Sequence, residues 1–256
     1  MISSLFIAHG APNMIYDDNK YTQYLKDYSK SIPKPKGIII FSAHWESNTQ
    51  LIGTSSPYSM IYDFYGFEDK LYKENYTASS NLDLANRIKR LLDINNIRSK
   101  FDDKRGIDHG AWSVLKLMYP TIDVPVVAMS VNPFLSNSNQ YDIGKALEPL
   151  KEDDILIIGS GGIVHNLREV DYYSNSITPW AKEFNNWIEN TILELNKDKL
   201  FNYENLAPNA NLAVPRNEHF IPLLIAMGAG DNNKMPEHLI GAYQFGNLAL
   251  DIWRFN

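Results

Sequence analysis

The sequence predicts an α/β fold, on three observations. Several apolar runs of strand length are continuous rather than alternating, amphipathic stretches of helical period lie between them, and histidines gather where such runs end or begin. Continuous apolar character marks strands covered on both faces, as in a sheet between helical layers. Loops at the carboxyl ends of such strands line the functional crevice of an open α/β sheet.

Residues 5–8 read as the first strand. The segment before them carries no basic region and its apolar stretch is short, unlike a signal peptide. Residues 37–42, Gly-Ile-Ile-Ile-Phe-Ser, read as a second buried strand, and 49–55 as a weaker one. A helix follows over 81–92, with Leu84, Ala85, Ile88, Leu91 and Leu92 at helical spacing. A short helix over 111–118 stops before Pro120, because the residue preceding proline avoids the helical region. Residues 124–131 form a strand entered through Pro125, and 154–158 another, followed by a turn over 159–162. Thr178-Pro179 has the character of an N-cap with proline in the first helical position. Beyond it Trp180, Phe184, Trp187, Ile188, Ile192 and Leu195 form a stripe, a buried helix face rather than an aromatic cofactor box. The helix over 220–227 ends at Gly228 and Gly230, residues suited to a C-cap. Pro222 belongs in its first turn and so places His219 at the helix entrance. Residues 241–245 are a weaker strand candidate, and 136–139 and 231–234 are polar enough for surface loops. With no repeat, low-complexity tract or linker, one domain over 1–256 is expected.

Composition narrows the function. A chain of 256 residues, 44% hydrophobic, can bury a sizeable core. A net charge of −6 gives no electrostatic reason to expect nucleic acid or an anionic membrane. No stretch approaches the roughly 20 apolar residues that span a bilayer, so a soluble cytoplasmic protein is expected. The absence of cysteine excludes disulfides, thiolate ligands and cysteine nucleophiles. Any metal must be held by nitrogen and oxygen.

Five of the six histidines sit in short motifs: Ala8-His9-Gly10-Ala11-Pro12, Ser42-Ala43-His44-Trp45-Glu46, Asp108-His109-Gly110-Ala111-Trp112, Gly161-Gly162-Ile163-Val164-His165-Asn166 and Asn217-Glu218-His219-Phe220. His238 lies in an ordinary polar stretch. Imidazole is both the commonest transition-metal ligand and the usual proton shuttle near neutral pH. His9 and His44 each end a strand run and can share one metal. Either His219 or Glu218 can complete a three-ligand site, as three histidines or as two histidines and a carboxylate. His165 is then a base or a fourth ligand. His109, at a helix N-terminus that disfavours imidazolium, can accept a proton, with Asp108 and Arg105 as partners or solvated loop charges; alternatively Asp108 caps that helix and His109 merely packs there. A phosphate loop fits poorly, since Gly-x-Gly-x-x-Gly fails at Val164 and no Lys-Ser/Thr pair follows. Gly-x-Ser-x-Gly is absent, leaving Ser160 as a turn residue or a donor to bound substrate.

In this order, His-Gly-Ala-Pro, Ser-Ala-His-Trp-Glu, Asp-His-Gly-Ala-Trp, Gly-Ser-Gly-Gly-Ile-Val-His-Asn-Leu and Glu-His-Phe-Ile-Pro-Leu-Leu resemble the motifs of the DODA-type extradiol aromatic ring-opening dioxygenases. That family lies in the superfamily of the LigB catalytic subunit and includes the 4,5-DOPA dioxygenases. The ending Tyr243-Gln244-Phe245-Gly246-Asn247-Leu248-Ala249 with Arg254-Phe255 is similar too, so the resemblance runs from about Leu5 to Phe255. Asn217 departs from it, where Pro is expected.

The resemblance implies a single α/β domain with a central mixed sheet and helices on both faces. It implies His9, His44 and His219 as metal ligands, with Glu218 in reserve, because the founding branch uses a glutamate as third ligand. The metal would be Fe(II), with Zn(II) able to occupy the same site. His165 would be the base, and His109 a further histidine near substrate or oxygen. The substrate would be a small aromatic diol cleaved with O2; the ring substituent and oligomeric state are left open. Arg216, Tyr243 and Tyr65 can reach a carboxylate or a ring face but read more simply as surface residues. Two rival readings are a hydrolase using water on a three-histidine zinc and a metal-binding protein without catalysis.

Overall fold

A computed structural model of the chain describes residues 2–174, 176–230 and 234–256. Most of the loop expected over 231–234 lies outside the described residues. Among those described, the strands are β1 (Ser4–Ala8), β2 (Gly37–Glu46), β3 (Gln50–Gly53), β4 (Ser99–Asp102), β5 (Val126–Val131), β6 (Ile155–Gly161), β7 (Glu237–Gln244) and β8 (Leu248–Phe255). They form one sheet in the order β4-β3-β5-β2-β6-β1-β8-β7. The centre is parallel: β2 pairs with β5 and β6, and β6 with β1. Antiparallel pairings of β3 with β5, β1 with β8 and β7 with β8 make the sheet mixed, as expected.

The helices are α1 (Lys20–Ser31), α2 (Leu82–Ile94), α3 (His109–Met118), α4 (Asn137–Leu147), α5 (Pro179–Leu193), α6 (Lys197–Phe201), α7 (Tyr203–Leu206), α8 (Ala210–Ala213) and α9 (Ile221–Gly228). Strand side chains alternate between faces, and both faces are packed. Ile38, Ile40, Leu156 and Ile158 join one core with Leu25 of α1, Trp112 of α3 and Phe184, Ile188 and Ile192 of α5. Ile39, Phe41, Ile155 and Ile157 join the other with Leu84 and Ile88 of α2, Ile143 of α4 and Ile225 of α9. Each fully buried branched residue contributes roughly 1.5–3 kcal/mol, so both helical layers are held by the apolar character that predicted them.

Four local expectations are corrected. The segment 136–139 is not a free loop: Ser136 is the N-cap of α4, its hydroxyl accepting from Asn139 N, so the polar residues are a helix's first turn. Gly228 does not cap α9 in a left-handed conformation. It closes the helix against α4, where an added Cβ would lie 2.0 Å from the Tyr141 carbonyl oxygen. Residues 159–161 are not a turn, because β6 runs on through Gly161. An added Cβ at Gly159 or Gly161 would lie 2.1 Å from Pro222 O or 2.2 Å from His219 O, so these glycines admit the entrance of α9. Finally, β2 does not stop at Ser42 but continues through His44 to Glu46, with a register shift against β5 between Phe41 and Glu46.

Candidate metal centre

Five histidines meet at the carboxyl ends of the parallel strands. His9 follows β1 directly, and the chain turns away at Gly10, whose φ of +57° and crowded Cβ position suit glycine alone. His44 lies on the extended end of β2. His165 follows β6, its backbone N–H donating to Ala213 O at 2.9 Å. His219 stands two residues before α9, and its carbonyl accepts from Gly162 N at 2.9 Å, which ties the helix entrance to the end of β6. His109 is the first residue of α3. Asp108 caps that helix, accepting from Ala111 N, while also binding Ser42 Oγ at 2.5 Å and Arg105 at 3.0 Å. Capping and placement in the site are therefore not alternatives at this motif. Arg105 also donates to the His44 carbonyl at 3.1 Å, so it is a structural partner and not a solvated charge.

The rings of His9, His44 and His219 form a compact triangle, with centroids 4.9 Å apart for His9–His44 and His44–His219 and 5.2 Å for His9–His219. His44 Nε2 lies 3.1 Å from His9 Nε2 and 3.3 Å from His219 Nε2. Outside the triangle each Nδ1 has its own partner: Ser160 Oγ at 3.0 Å for His9, Asp63 at 3.1 Å for His44 and Glu218 at 3.0 Å for His219. An ionised carboxylate only accepts, so Nδ1 of His44 and of His219 carries the proton. The Ser160 hydroxyl donates to Gly110 O at 2.5 Å and must accept from His9 Nδ1. All three Nε2 atoms then present lone pairs to one another, a repulsive arrangement that a cation between them relieves. Nitrogens bound at about 2.1 Å to one metal lie about 3.0–3.4 Å apart for right-angled to tetrahedral geometry, so the donor set fits a metal ion.

Glu218 stands behind His219, on the Nδ1 side, where Arg216 Nε approaches its other oxygen at 3.4 Å. Burial pushes the Glu218 carboxyl up. His165 stacks on His219 at 3.4 Å with planes 8° apart. Burial and then the neighbouring rings of His44 and His109 push the His165 imidazole down to about 3. Burial likewise lowers His9, His109 and His219, so these rings are neutral at pH 7. Grouped by mutual proximity of all possible donor atoms, the side chains fall into His9–His44–His109 and His165–Glu218–His219. The Nε2 convergence cuts across that division, and the tautomers favour the convergent set.

The residue that sequence reasoning missed is Asp63. It lies in the loop between β3 and α2, among Tyr62, Phe64 and Tyr65, with no motif to mark it. Its oxygens accept from both His44 Nδ1 and His109 Nδ1. Phe64 beside it packs edge-on against His109, with centroids 5.7 Å apart. Tyr65 is 91% exposed, Tyr243 packs against the core, and Arg216 pairs with Glu46 on the surface.

Five histidines gathered at the carboxyl ends of the parallel strands, three with converging lone pairs, define an α/β protein with a metal-type histidine centre. The pattern of the catalytic LigB subunit of aromatic ring-opening dioxygenase matches residues 4–250, and the chain belongs to that family. It is 39% identical to the 4,5-DOPA dioxygenase extradiol of Beta vulgaris, across 98% of this chain and 96% of that protein. It is 31% identical to the protein of the same name from Escherichia coli K12, across 96% and 92%. A crystal structure of an uncharacterized Escherichia coli K12 protein superposes over both full chains with a TM-score of 0.85 at 28% identity. These dioxygenases are metal-dependent, and no helix among the described residues is long and apolar enough to cross a membrane.

Proposed function

We propose that the protein is an extradiol dioxygenase that opens the ring of a catechol-type substrate with O2, using a metal held by His9, His44 and His219. The observation that carries this reading is the convergence of three Nε2 lone pairs whose tautomers are set from behind. Glu218 orients His219 through Nδ1 and is not the third ligand in this reading. Fe(II) bound there supplies the electronic link between an electron-rich ring and oxygen, while Zn(II) fits the same nitrogens without redox chemistry.

The protein's own groups handle the proton. His165, neutral and half-buried against His219, accepts a proton from the diol, since the catecholate donates electron density that the neutral diol withholds. His109 has its Nδ1–H committed to Asp63, which leaves Nε2 as an acceptor toward substrate or oxygen. Ile163 and Val164, which lead into His165, and Trp112 of α3 are fully buried in the core.

The test is oxygen uptake with a panel of catechols, using protein purified without oxygen and loaded with Fe(II) or Zn(II). Uptake with a new visible absorbance in the Fe(II) sample alone is the expected result. Stoichiometric metal without uptake for any catechol overturns it and turns attention to a zinc hydrolase or a non-catalytic metal protein. In the active sample, His165→Ala retains metal and loses turnover by about 10²–10⁴-fold; wild-type rates in that variant remove the base assigned here.

A further inference from the structure

His9 has a serine behind it and His219 a glutamate, each serving one ring. Asp63 differs. Its Oδ2 accepts from His44 Nδ1 at 3.1 Å, and its Oδ1 accepts from His109 Nδ1 at 2.8 Å and from the His109 backbone N–H at 3.2 Å. The carboxyl is three-quarters buried, with 23% of its side chain exposed. Burial pushes it up, but the hydrogen bonds from His109 and His44 outweigh burial and hold it well below the usual carboxylate range. Three separate elements meet there: the overrun of β2, the first residue of α3 and the loop that carries Asp63. Gly110 permits the meeting, because an added Cβ would lie 3.0 Å from His44 Cδ2, and the His44 and His109 rings sit 4.1 Å apart.

We propose that Asp63 is a positioning residue that sets the tautomer and orientation of two histidines at once, the metal ligand His44 and the substrate-side His109. The inference rests on the reading of His44 as a ligand. Its physical basis is that a carboxylate has acceptors only, so both rings must carry their proton on Nδ1 and aim a bare Nε2 into the centre. Partners behind a metal-bound imidazole set its tautomer, and their loss costs about 10–100-fold in metal affinity. Sharing one carboxylate adds a consequence that separate partners lack. A carboxamide of the same shape has one acceptor oxygen and one donor NH2, so it can serve only one of the two rings. His109, with two donors on Oδ1, keeps the oxygen. His44 then faces the NH2, must accept at Nδ1, and carries its proton on Nε2, where it blocks a metal.

The experiment compares the full-length wild type with Asp63→Asn, metal-free and labelled with 15N-histidine. Long-range proton–nitrogen spectra report each ring's tautomer, and Zn(II) affinity is measured by competition with a chromophoric chelator. The expected result is Nδ1–H at His44 and His109 in the wild type, Nε2–H at His44 in Asp63→Asn, and a 10–100-fold weaker Zn(II) affinity in the variant. An unchanged His44 tautomer or an unchanged affinity overturns the inference. Should the variant fail to fold, the wild-type spectrum decides alone, since a proton on Nε2 of His44 contradicts the assignment. A wild type that binds no Zn(II) contradicts the metal reading under "Proposed function", whereas the tautomers are read without metal, so the two failures are distinguishable.

Discussion

Ser160 shows how much one small side chain can decide. Its hydroxyl passes its proton to Gly110 O and takes one from His9, which links β6, α3 and β1 through a buried atom. Ser160→Ala leaves the buried His9 ring N–H without its partner, at a cost of about 1–3 kcal/mol. Reduced Zn(II) affinity with a lowered melting temperature is expected; a variant matching the wild type in both would remove Ser160 from the centre. Sequence alone presents this serine as a turn residue or a donor to substrate, because its partners are distant in the chain. The histidines were legible because each stands in a compact motif at the end of an apolar run or the start of a helix-like one, His9, His44 and His109 directly beside glycine or tryptophan. Asp63 was not, since its role depends on a loop folding across two other elements.

At the level of elements, legibility follows burial. β1, β2, β5 and β6 are packed on both faces and read as unbroken apolar runs, whereas β4, Ser-Lys-Phe-Asp, lies at the sheet edge and carries no such signal. α1 buries only Tyr21, Thr22, Leu25 and Tyr28. The available signal was its capping box, in which Asn19 accepts from Thr22 N and Thr22 accepts from Asn19 N. The position of α9 depends on contacts that no periodicity announces. Gly144 of α4 lies where an added Cβ would sit 1.9 Å from Ile225 O of α9. Backbone cannot yield as a side chain can, so Gly144→Ala should cost about 1–3 kcal/mol, read as a melting temperature lower by roughly 2–12 °C. Because α9 carries His219 at its entrance, the same variant should also bind metal more weakly. A wild-type melting curve would show that the two helices are not in close contact.

For the molecule as a whole, the buried imidazoles make stability depend on pH and on metal. His9, His109 and His219 are held below the ordinary histidine value near 6.5, and His165 is lowered to about 3. Below pH 6.5 the unfolded chain takes up protons that the folded, metal-free chain refuses, so stability falls as pH drops and continues to fall toward pH 3. His238 has the opposite sign. It sits between Glu189 at 3.2 Å and Asp251 at 2.8 Å and is raised on balance, because those carboxylates outweigh burial. Its contribution is complete below pH 6.5 and is lost as pH rises through the raised value. Four lowered histidines outnumber one raised, so the metal-free protein should melt progressively earlier from pH 7 to pH 5 in a calorimetric series. A flat profile would contradict the neutral cluster. Bound Zn(II) should raise the whole curve by mass action, and a chelator should reverse that gain.

β1 is made first but lies between β6 and β8, with Leu5 opposite both Ile158 and Arg254. During synthesis on the ribosome, the strand leading into His9 has neither neighbour until most of the chain has emerged. His219 is supplied late as well, and β8 follows it. A half-translated chain therefore carries His9, His44 and His109 but neither the end of β6 nor the entrance of α9 that complete the cluster. The five-histidine cluster is thus assembled only once the late elements that bring His165 and His219 are in place around β1.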